Sequence, residues 1–237
     1  LPDFDALVKE EPEAIAVASN YYMSNLQNLD SAKNNFGKLE INHIDLSDPD
    51  NVTTFFKEKN FDVVFNLAVV GLPVSLVRPR WTVLQNINMT LNLCESLKEN
   101  MFKTLIQFSS SEAYGSAMYV PMDENHPLNP ETPYAASKLA TDVIARSYHR
   151  TFGLDVALIR PFNNYGPRQN TKKFAAIIPL VIGRMLRGED IIIFGDGEQT
   201  RDFIYVNDTA DAAIKIYKNS NTRGKLINIA GGQEHSI

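Results

Sequence analysis

Apolar runs typical of buried strands alternate with helical periodicity over the first two thirds of the chain. The run FDVVFNLAVV (residues 61–70) is apolar on both faces, as in a strand inside a parallel sheet. The other predicted strands are residues 14–18, 38–45, 103–110 and 154–161, and the predicted helices are residues 4–11, 48–60, 81–100 and 133–152. This alternation predicts an α/β fold built on a doubly wound parallel sheet.

Two of these helices have local boundary signals. Asp48 supplies an N-cap acceptor and Pro49 follows it at the first helical position, where a proline is tolerated. Gly153 follows the helix 133–152 at the position where glycine commonly ends a helix.

The regular alternation of predicted strands and helices ends after Pro161. A polar loop, FNNYGPRQNTKK, precedes a predicted helix at residues 175–188 and short predicted strands at 191–194, 201–206 and 225–230. We therefore predict a main α/β domain over residues 1–160 and a smaller lobe over residues 161–237 that returns in part to the main sheet. The chain begins inside a predicted helix and stops as a new segment starts, so we expect both ends to be truncated.

Charge and composition narrow the class of function. The net charge of −5 gives no electrostatic support for binding nucleic acid or an anionic membrane surface, so small molecules are the expected partners. No apolar run is long enough to span a bilayer. The single cysteine, Cys94, lies in an apolar helical pattern, which predicts a reducing, cytoplasmic setting. The histidines lack metal-ligand spacing, so no metal site is expected.

Candidate chemistry lies where the predicted strands end. Ligands of open α/β sheets bind outside the carboxyl ends of the strands, and the stretch FSSSEAYG stands at one of them. Tyr134 and Lys138 are four residues apart at the start of a helix, so they share one face. A nearby ammonium lowers the pKa of a tyrosine from about 10, which allows the phenol to act as a base near neutral pH. Alone, this spacing also fits an exposed helical pair.

Four motifs in this order and spacing resemble those of the extended short-chain dehydrogenase/reductase family, in its nucleotide-sugar epimerase and dehydratase group: FSSSEAYG, PYAASK, RPFNNYGPRQ and FGDGEQTRDFIYVND. The resemblance covers the chain from about residue 14 onward. It implies that residues 1–160 form a Rossmann-like, NAD-binding domain and that residues 161–237 form a substrate-binding lobe. It also implies transient oxidation of the sugar by a bound nicotinamide cofactor, which is regenerated when the hydride returns.

The resemblance assigns roles position by position. Ser110 polarises the reacting sugar hydroxyl, Tyr134 is the catalytic base, and Lys138 holds the nicotinamide ribose. The implied cofactor contacts are Asn20, Asp45, Leu46, Leu67, Ala68, Asn86 and Pro161, together with Tyr134 and Lys138. The implied substrate contacts are Ser110, Ser111, Asn163 and Arg201. Arg201 matches the arginine that pairs with the diphosphate, and its alternative role is a salt bridge to Asp202 or Asp208.

The chain departs from the family pattern at two places that concern the cofactor. The glycine-rich phosphate loop is absent from this sequence; because residues 3–11 already resemble the helix that follows it, we expect the loop to lie upstream. Ser19 stands where the family usually has the aspartate that binds the adenosine ribose. No arginine follows to receive a 2′-phosphate, so NAD is the expected cofactor.

Glu112 decides the expected reaction. The resemblance matches it to the glutamate that removes the C5 proton in 4,6-dehydratases, although Ser111 replaces the usual aspartate before it. The alternative structural role is a carboxylate that bonds backbone N–H groups. We predict a 4,6-dehydratase-type reaction on a nucleotide-linked N-acetylhexose. A nucleotide-sugar 4-epimerase, a UDP-glucuronate decarboxylase, and a cofactor-binding module without catalysis remain the alternatives.

The same resemblance predicts a homodimer. Family members pack two helices into a four-helix bundle, which here would be residues 81–100 and 133–152. These helices carry more apolar positions than one core face requires: Leu84, Ile87, Leu91, Leu139, Val143 and Ile144.

Overall fold

The structure is a computed structural model that describes residues 15–17, 26–29, 39–171, 175–193 and 195–237. Its strands are β1 (Ile15–Val17), β2 (Glu40–Asn42), β3 (Phe61–Asn66), β4 (Phe102–Phe108), β5 (Val156–Pro161), β6 (Asn163–Tyr165), β7 (Thr200–Tyr205), β8 (Leu226–Ile229) and β9 (Glu234–Ser236). Its helices are α1 (Pro49–Lys57), α2 (Leu72–Ser75), α3 (Pro79–Lys98), α4 (Pro133–Phe152), α5 (Ile177–Arg187) and α6 (Val206–Lys218). Short 3-10 turns occupy Leu26–Leu29, Ser111–Tyr114 and Ser220–Thr222.

A parallel sheet with the strand order β3-β4-β5-β8 forms the centre of the molecule. Strands β1 and β2 form a separate parallel pair, and β6, β7 and β9 form a small mixed sheet. The predicted α/β fold with a parallel, Rossmann-like sheet is confirmed.

The central sheet is covered on both faces, which explains why its strands are almost continuously apolar. Leu105 and Leu158 face one apolar cluster, which includes Leu93 of α3 and Ala145 of α4. Neighbouring strand residues face a second cluster that α6 covers: Ile106, Phe108, Ala157 and Ile159. The two layers fix the sheet between helices and leave its strand ends to form a site.

Two predicted helix boundaries, the start of α1 and the end of α4, are confirmed by their capping geometry. Oδ1 of Asp48 accepts hydrogen bonds from the N–H groups of Asp50 (2.9 Å) and Asn51 (3.1 Å). Gly153 ends α4 with a left-handed backbone (φ 69°), which glycine adopts without a Cβ clash. At the other end of α4, Oγ1 of Thr132 accepts from the N–H of Ala135 at 3.1 Å, which fixes the first helical turn beside Tyr134.

The C-terminal third differs from its prediction. Residues 191–193 form no strand in the described part of the chain and are each about half exposed, so the strand predicted at 191–194 is wrong over these residues. Helix α6 was not predicted. Strand β8 pairs with β5 in the central sheet, and the domain boundary near residue 160 stays a prediction. The predicted helix 4–11 lies outside the described residues.

Candidate active site

The carboxyl ends of β3, β4 and β5 lie side by side at one edge of the sheet, as the sequence predicted. Asn66, at the end of β3, is buried and donates to Oε1 of Gln107 on β4 at 2.8 Å. Its Oδ1 accepts the N–H of Ala68 at 3.2 Å. These bonds fix the half-buried turn formed by Leu67 and Ala68, two of the predicted cofactor contacts.

Ser110 and Tyr134 are brought together in front of the end of β4. Ser110 continues the strand in an extended conformation, and its hydroxyl lies close enough to the Tyr134 phenol to lower the pKa of that phenol. Burial raises the pKa of Tyr134, and the nearby charges of Glu112 and Asp142 raise it further, whereas the Ser110 hydroxyl lowers it. The effect of the Ser110 hydroxyl on this pKa thus opposes the effect of burial, which favours the protonated phenol.

Lys138 lies one helical turn after Tyr134 on α4 and is only 4% exposed. Its Nζ donates to the carbonyl oxygen of Phe108, the last residue of β4, at 2.5 Å. Burial lowers the pKa of Lys138 to about 8, and the charge of Asp142 acts in the opposite direction. A phenol and an ammonium on one helix face, with Ser110 opposite, form the arrangement needed for proton transfer to and from a substrate hydroxyl.

Glu112 lies in the Ser111–Tyr114 turn with an exposed carboxylate. Within the described residues, this carboxylate accepts no hydrogen bond, so the structural alternative, in which it bonds backbone N–H groups, is not seen. Its backbone N–H donates to the hydroxyl of Ser110 at 3.3 Å. The Glu112 carboxylate is therefore free to meet a substrate close to Tyr134. Ser111 is half-buried at the start of the same turn.

Asn86 ties the loop after β3 to the helix that carries Tyr134. It is buried on α3, accepts the N–H of Val70 at 2.7 Å, and donates to Val70 O at 3.1 Å and Ser137 Oγ at 2.8 Å. Its amide is thus bonded to protein groups on both sides. The structure shows a bracing role for Asn86, and its cofactor contact stays a prediction.

The remaining predicted cofactor residues lie at other strand ends. Asp45 follows β2, and its Oδ1 accepts from the N–H (2.9 Å) and the hydroxyl (2.6 Å) of Ser47. Leu46 is buried beside it, and Pro161 is the last residue of β5. Asn20 and Ser19 lie outside the described residues, so the predicted preference for NAD at that position has no structural counterpart.

The predicted substrate residues Asn163 and Arg201 line one cavity of about 450 Å³, whose apolar wall includes Ile177, Ile192 and Phe203. Arg201 is exposed, and its Nη1 donates to the carbonyl oxygen of Thr200 at 2.7 Å.

Neither predicted salt bridge of Arg201 forms among the described residues. The carboxylate of Asp202 instead accepts the N–H groups of Gly231 (2.6 Å) and Gly232 (2.8 Å). Asn163 donates to the carbonyl oxygen of Asp202 at 2.9 Å. The Arg201 guanidinium therefore keeps donors for a ligand in the cavity.

Sequence reasoning missed the charged pair behind the site. Asp142 and Arg160 are each about 2% exposed and form an ion pair of 2.7 Å. Two signals were available in the sequence: Asp142 repeats the four-residue spacing of Tyr134 and Lys138, and Arg160 interrupts an apolar strand.

Two absences hold for the part of the chain that the structure describes. No helix there is long and apolar enough to cross a membrane. No group of histidine, cysteine and carboxylate side chains there is arranged to hold a metal ion.

Comparison with known proteins identifies the class that this fold and site define. The model of the NAD dependent epimerase/dehydratase family matches residues 4–230. A candidate UDP-glucose 4-epimerase from Methanocaldococcus jannaschii is 35% identical over 225 residues, which are 93% of this chain and 72% of that protein.

Two solved structures are also similar. A UDP-N-acetylglucosamine 4-epimerase from Methanobrevibacter ruminantium, in complex with UDP-N-acetylmuramic acid, is 36% identical with a TM-score of 0.88, covering 98% of this chain and 73% of that one. A dTDP-glucose 4,6-dehydratase from Streptomyces venezuelae with NAD bound is 29% identical with a TM-score of 0.86, covering 95% and 68%.

The chain therefore belongs to the NAD-dependent epimerase/dehydratase family. This membership confirms the resemblance drawn from the four motifs, the enzyme class and NAD as the cofactor of the family. The similar proteins include both epimerases and dehydratases.

Proposed function

We propose that this protein is an NAD-dependent dehydratase that acts on a nucleotide-diphosphate sugar, most simply a 4,6-dehydratase of an N-acetylated hexose. The observation that carries the proposal is the Glu112 carboxylate. It is exposed, accepts no hydrogen bond from the described residues, and stands two residues after Ser110, with its charge acting on Tyr134. A dehydratase needs such a second base, whereas a 4-epimerase does not.

The residues present fit an NAD cofactor at the strand ends. Among the described residues, the carbonyl oxygen of Phe108 is the hydrogen-bond acceptor of the Lys138 ammonium, which leaves N–H donors for a ribose hydroxyl. The turn at Leu67 and Ala68 is half-buried and held by Asn66. When bound there, NAD would supply a hydride acceptor for sugar C4 and return the hydride at the end of the reaction.

The side chains divide the proton transfers between them. Tyr134 takes the proton of the C4 hydroxyl while Ser110 hydrogen-bonds the same oxygen, and the Lys138 ammonium stabilises the phenolate form of Tyr134. The resulting 4-ketone makes the C5 proton acidic. Glu112 accepts this proton and delivers it to the C6 hydroxyl, which leaves as water, so that a C5–C6 double bond remains. The returning hydride would then add at C6 and a proton at C5, which gives the 4-keto product.

The cavity beside Asn163 and Arg201 supports a nucleotide-diphosphate substrate. A guanidinium suits a diphosphate because its fork of donors matches phosphate oxygens. The apolar side chains of Ile177, Ile192 and Phe203 offer a surface for a nucleobase.

A nucleotide-sugar 4-epimerase is the second candidate, and the two relatives at 35% and 36% identity favour it. In that reaction Ser110 and Tyr134 carry the proton transfer, and Glu112 has no required part. The two candidates therefore differ in one residue that can be tested.

The test is product analysis with the purified full-length protein, NAD, and separately UDP-N-acetylglucosamine, UDP-glucose and dTDP-glucose. A 4-keto product lighter than its substrate by one water supports the dehydratase, and a clean C4 epimer overturns it. In Glu112→Gln we expect water loss to stop while reduced nicotinamide still accumulates. Glu99→Gln, a matched change at an exposed helix end, should leave the product unchanged.

We also propose a homodimer formed by α3 and α4 and a location in the cytoplasm. These helices pack against each other and still expose Leu84 (46%) and Val143 (58%). Cys94 is buried as a free thiol, which suits a reducing compartment. Val143→Asp should halve the mass measured by light scattering; an unchanged mass would count against this interface.

A further inference from the structure

Two adjacent serines at the end of β4 serve two different layers of the site. Because side chains alternate along an extended chain, Ser109 and Ser110 point to opposite sides. Ser110 meets the Tyr134 phenol, whereas Ser109 is 6% exposed and its hydroxyl donates to Oδ2 of Asp142 at 2.5 Å. A second, buried polar layer thus lies behind the residues that face the substrate.

Asp142 is the centre of this buried layer. Its Oδ2 accepts from Ser109 and from Nη2 of Arg160 at 2.7 Å, and Nε of Arg160 donates to Ser109 Oγ at 3.3 Å. The guanidinium also stacks over the ring of Tyr114, 4.3 Å from its centroid. The pair is held from α4, β4, β5 and the turn after β4, so the position of Asp142 is fixed by the fold.

The other carboxylate oxygen of Asp142 makes no such hydrogen bonds in the described part of the chain. Oδ1 is buried and has no hydrogen-bond partner among the described residues. A buried carboxylate oxygen without a partner is costly, so its place in the fold calls for an explanation.

The charges near this carboxylate indicate what that explanation is. On α4, Lys138 lies one turn before Asp142 and Tyr134 two turns before it; Arg160 approaches from β5, and Glu112 lies beyond Tyr134. Burial opposes the ammonium form of Lys138, and Asp142 is the charge that acts against this effect.

We propose that Asp142 is a positioning residue for the reaction: held by Ser109 and Arg160, its carboxylate keeps the Lys138 ammonium charged behind Tyr134. The proposal rests on the proposed function for its reaction, but the link between Asp142 and Lys138 can be measured without substrate. Asp142 touches neither substrate nor cofactor in this scheme. It acts through Lys138, and its charge also raises the pKa of Tyr134 directly.

The first measurement is a carbon-detected NMR titration of the lysine side chains, with the Lys138 signal assigned by its loss in Lys138→Met. In Asp142→Asn the pKa of Lys138 should fall by roughly one unit or more, because an attractive charge is removed. Asp155→Asn is the matched control, since Asp155 also pairs with an arginine, Arg223, away from Lys138. An unchanged Lys138 titration in Asp142→Asn would overturn the proposal.

A paired variant guards against misfolding, because Asp142→Asn leaves the Arg160 charge buried alone. Asp142→Asn/Arg160→Gln removes both charges, and the pKa of Lys138 should still fall, since Asp142 is the charge that acts on it. If the single variant does not fold, an unchanged titration in the paired variant overturns the proposal.

The second measurement connects this link to the reaction. The alkaline limb of turnover should move to lower pH by the same amount as the Lys138 titration, while Asp155→Asn keeps the wild-type profile. A titration that moves without a matching change in the turnover profile would refute the positioning role. Failure of the proposed function would appear differently, as no turnover by the wild-type protein with any nucleotide sugar.

Discussion

The reacting end and the nucleotide end of the candidate site are built differently. At the reacting end, Ser109, Lys138 and Asp142 are each at most 6% exposed and hydrogen-bonded to strand or helix. At the nucleotide end, Arg201 is exposed and Ile192 is half exposed. The comparison suggests that the geometry of proton transfer is set before substrate arrives, whereas the nucleotide contacts become effective only when substrate covers them.

The largest effect should follow from a change at the reacting end. Tyr134→Phe removes the proton acceptor and should lower kcat by roughly 100- to 10,000-fold with little change in thermal stability. Tyr119→Phe, which changes an exposed tyrosine in the loop before α4, is the matched control. Turnover in Tyr134→Phe within about tenfold of wild type would mean that another group takes the proton.

The loss of stability on truncating an apolar side chain should also be larger in the buried sheet than at the nucleotide end. Leu105→Ala opens a cavity in a fully buried strand and should reduce the free energy of unfolding by about 2–5 kcal/mol. Ile192→Ala, at the half-exposed wall of the cavity, should reduce it by about 1 kcal/mol or less. Urea unfolding measures both, and equal losses would erase the distinction between the two ends.

Arg201→Ala tests the nucleotide end alone. We expect KM to rise about ten- to a hundredfold, as for the loss of a charged hydrogen bond, while kcat changes by less than about threefold. Arg187→Ala, an exposed arginine paired with Glu189, serves as the control. A fall in kcat with unchanged KM would move Arg201 to the reacting end.

The smallest effect on turnover should come from a change of pH. The pKa of Lys138 is lowered to about 8, so the ammonium is present below this pH and is lost as the pH rises through it. Turnover should therefore decline above about pH 8, and KM should follow it only weakly. A pH–rate profile with flat turnover well above this value would contradict a required ammonium.

The sequence predicted the parts of the molecule whose signals are local. Strand β3 follows from the apolar run FDVVFNLAVV, and the Tyr134–Lys138 pair follows from spacing on a capped helix. Helix α6 escaped prediction because it starts directly after β7 at Tyr205, without a side-chain cap. The sequence alone therefore offered no start signal of the usual kind.

The remaining misses depend on tertiary contacts. Residues 191–193 have strand propensity, but a strand also needs a neighbour, and none pairs with them within the described chain. The contact between Asp142 and Arg160 likewise requires α4 to lie against β5. A charge inside an apolar strand indicates that a partner exists, but it cannot name that partner.

The hydroxyl of Tyr114 donates to Oδ1 of Asn228 at 2.8 Å, across 114 positions of the chain. Asn228 lies on β8, and it also donates to Met122 O and Glu124 Oε1, at 3.2 and 2.8 Å, in the loop after Glu112. During synthesis, Ser110, Tyr134 and Lys138 therefore emerge from the ribosome well before Asn228, which anchors the loop between Ser110 and Tyr134. Contacts this distant in sequence form late in folding, so docking of β8 should be the step that completes the site.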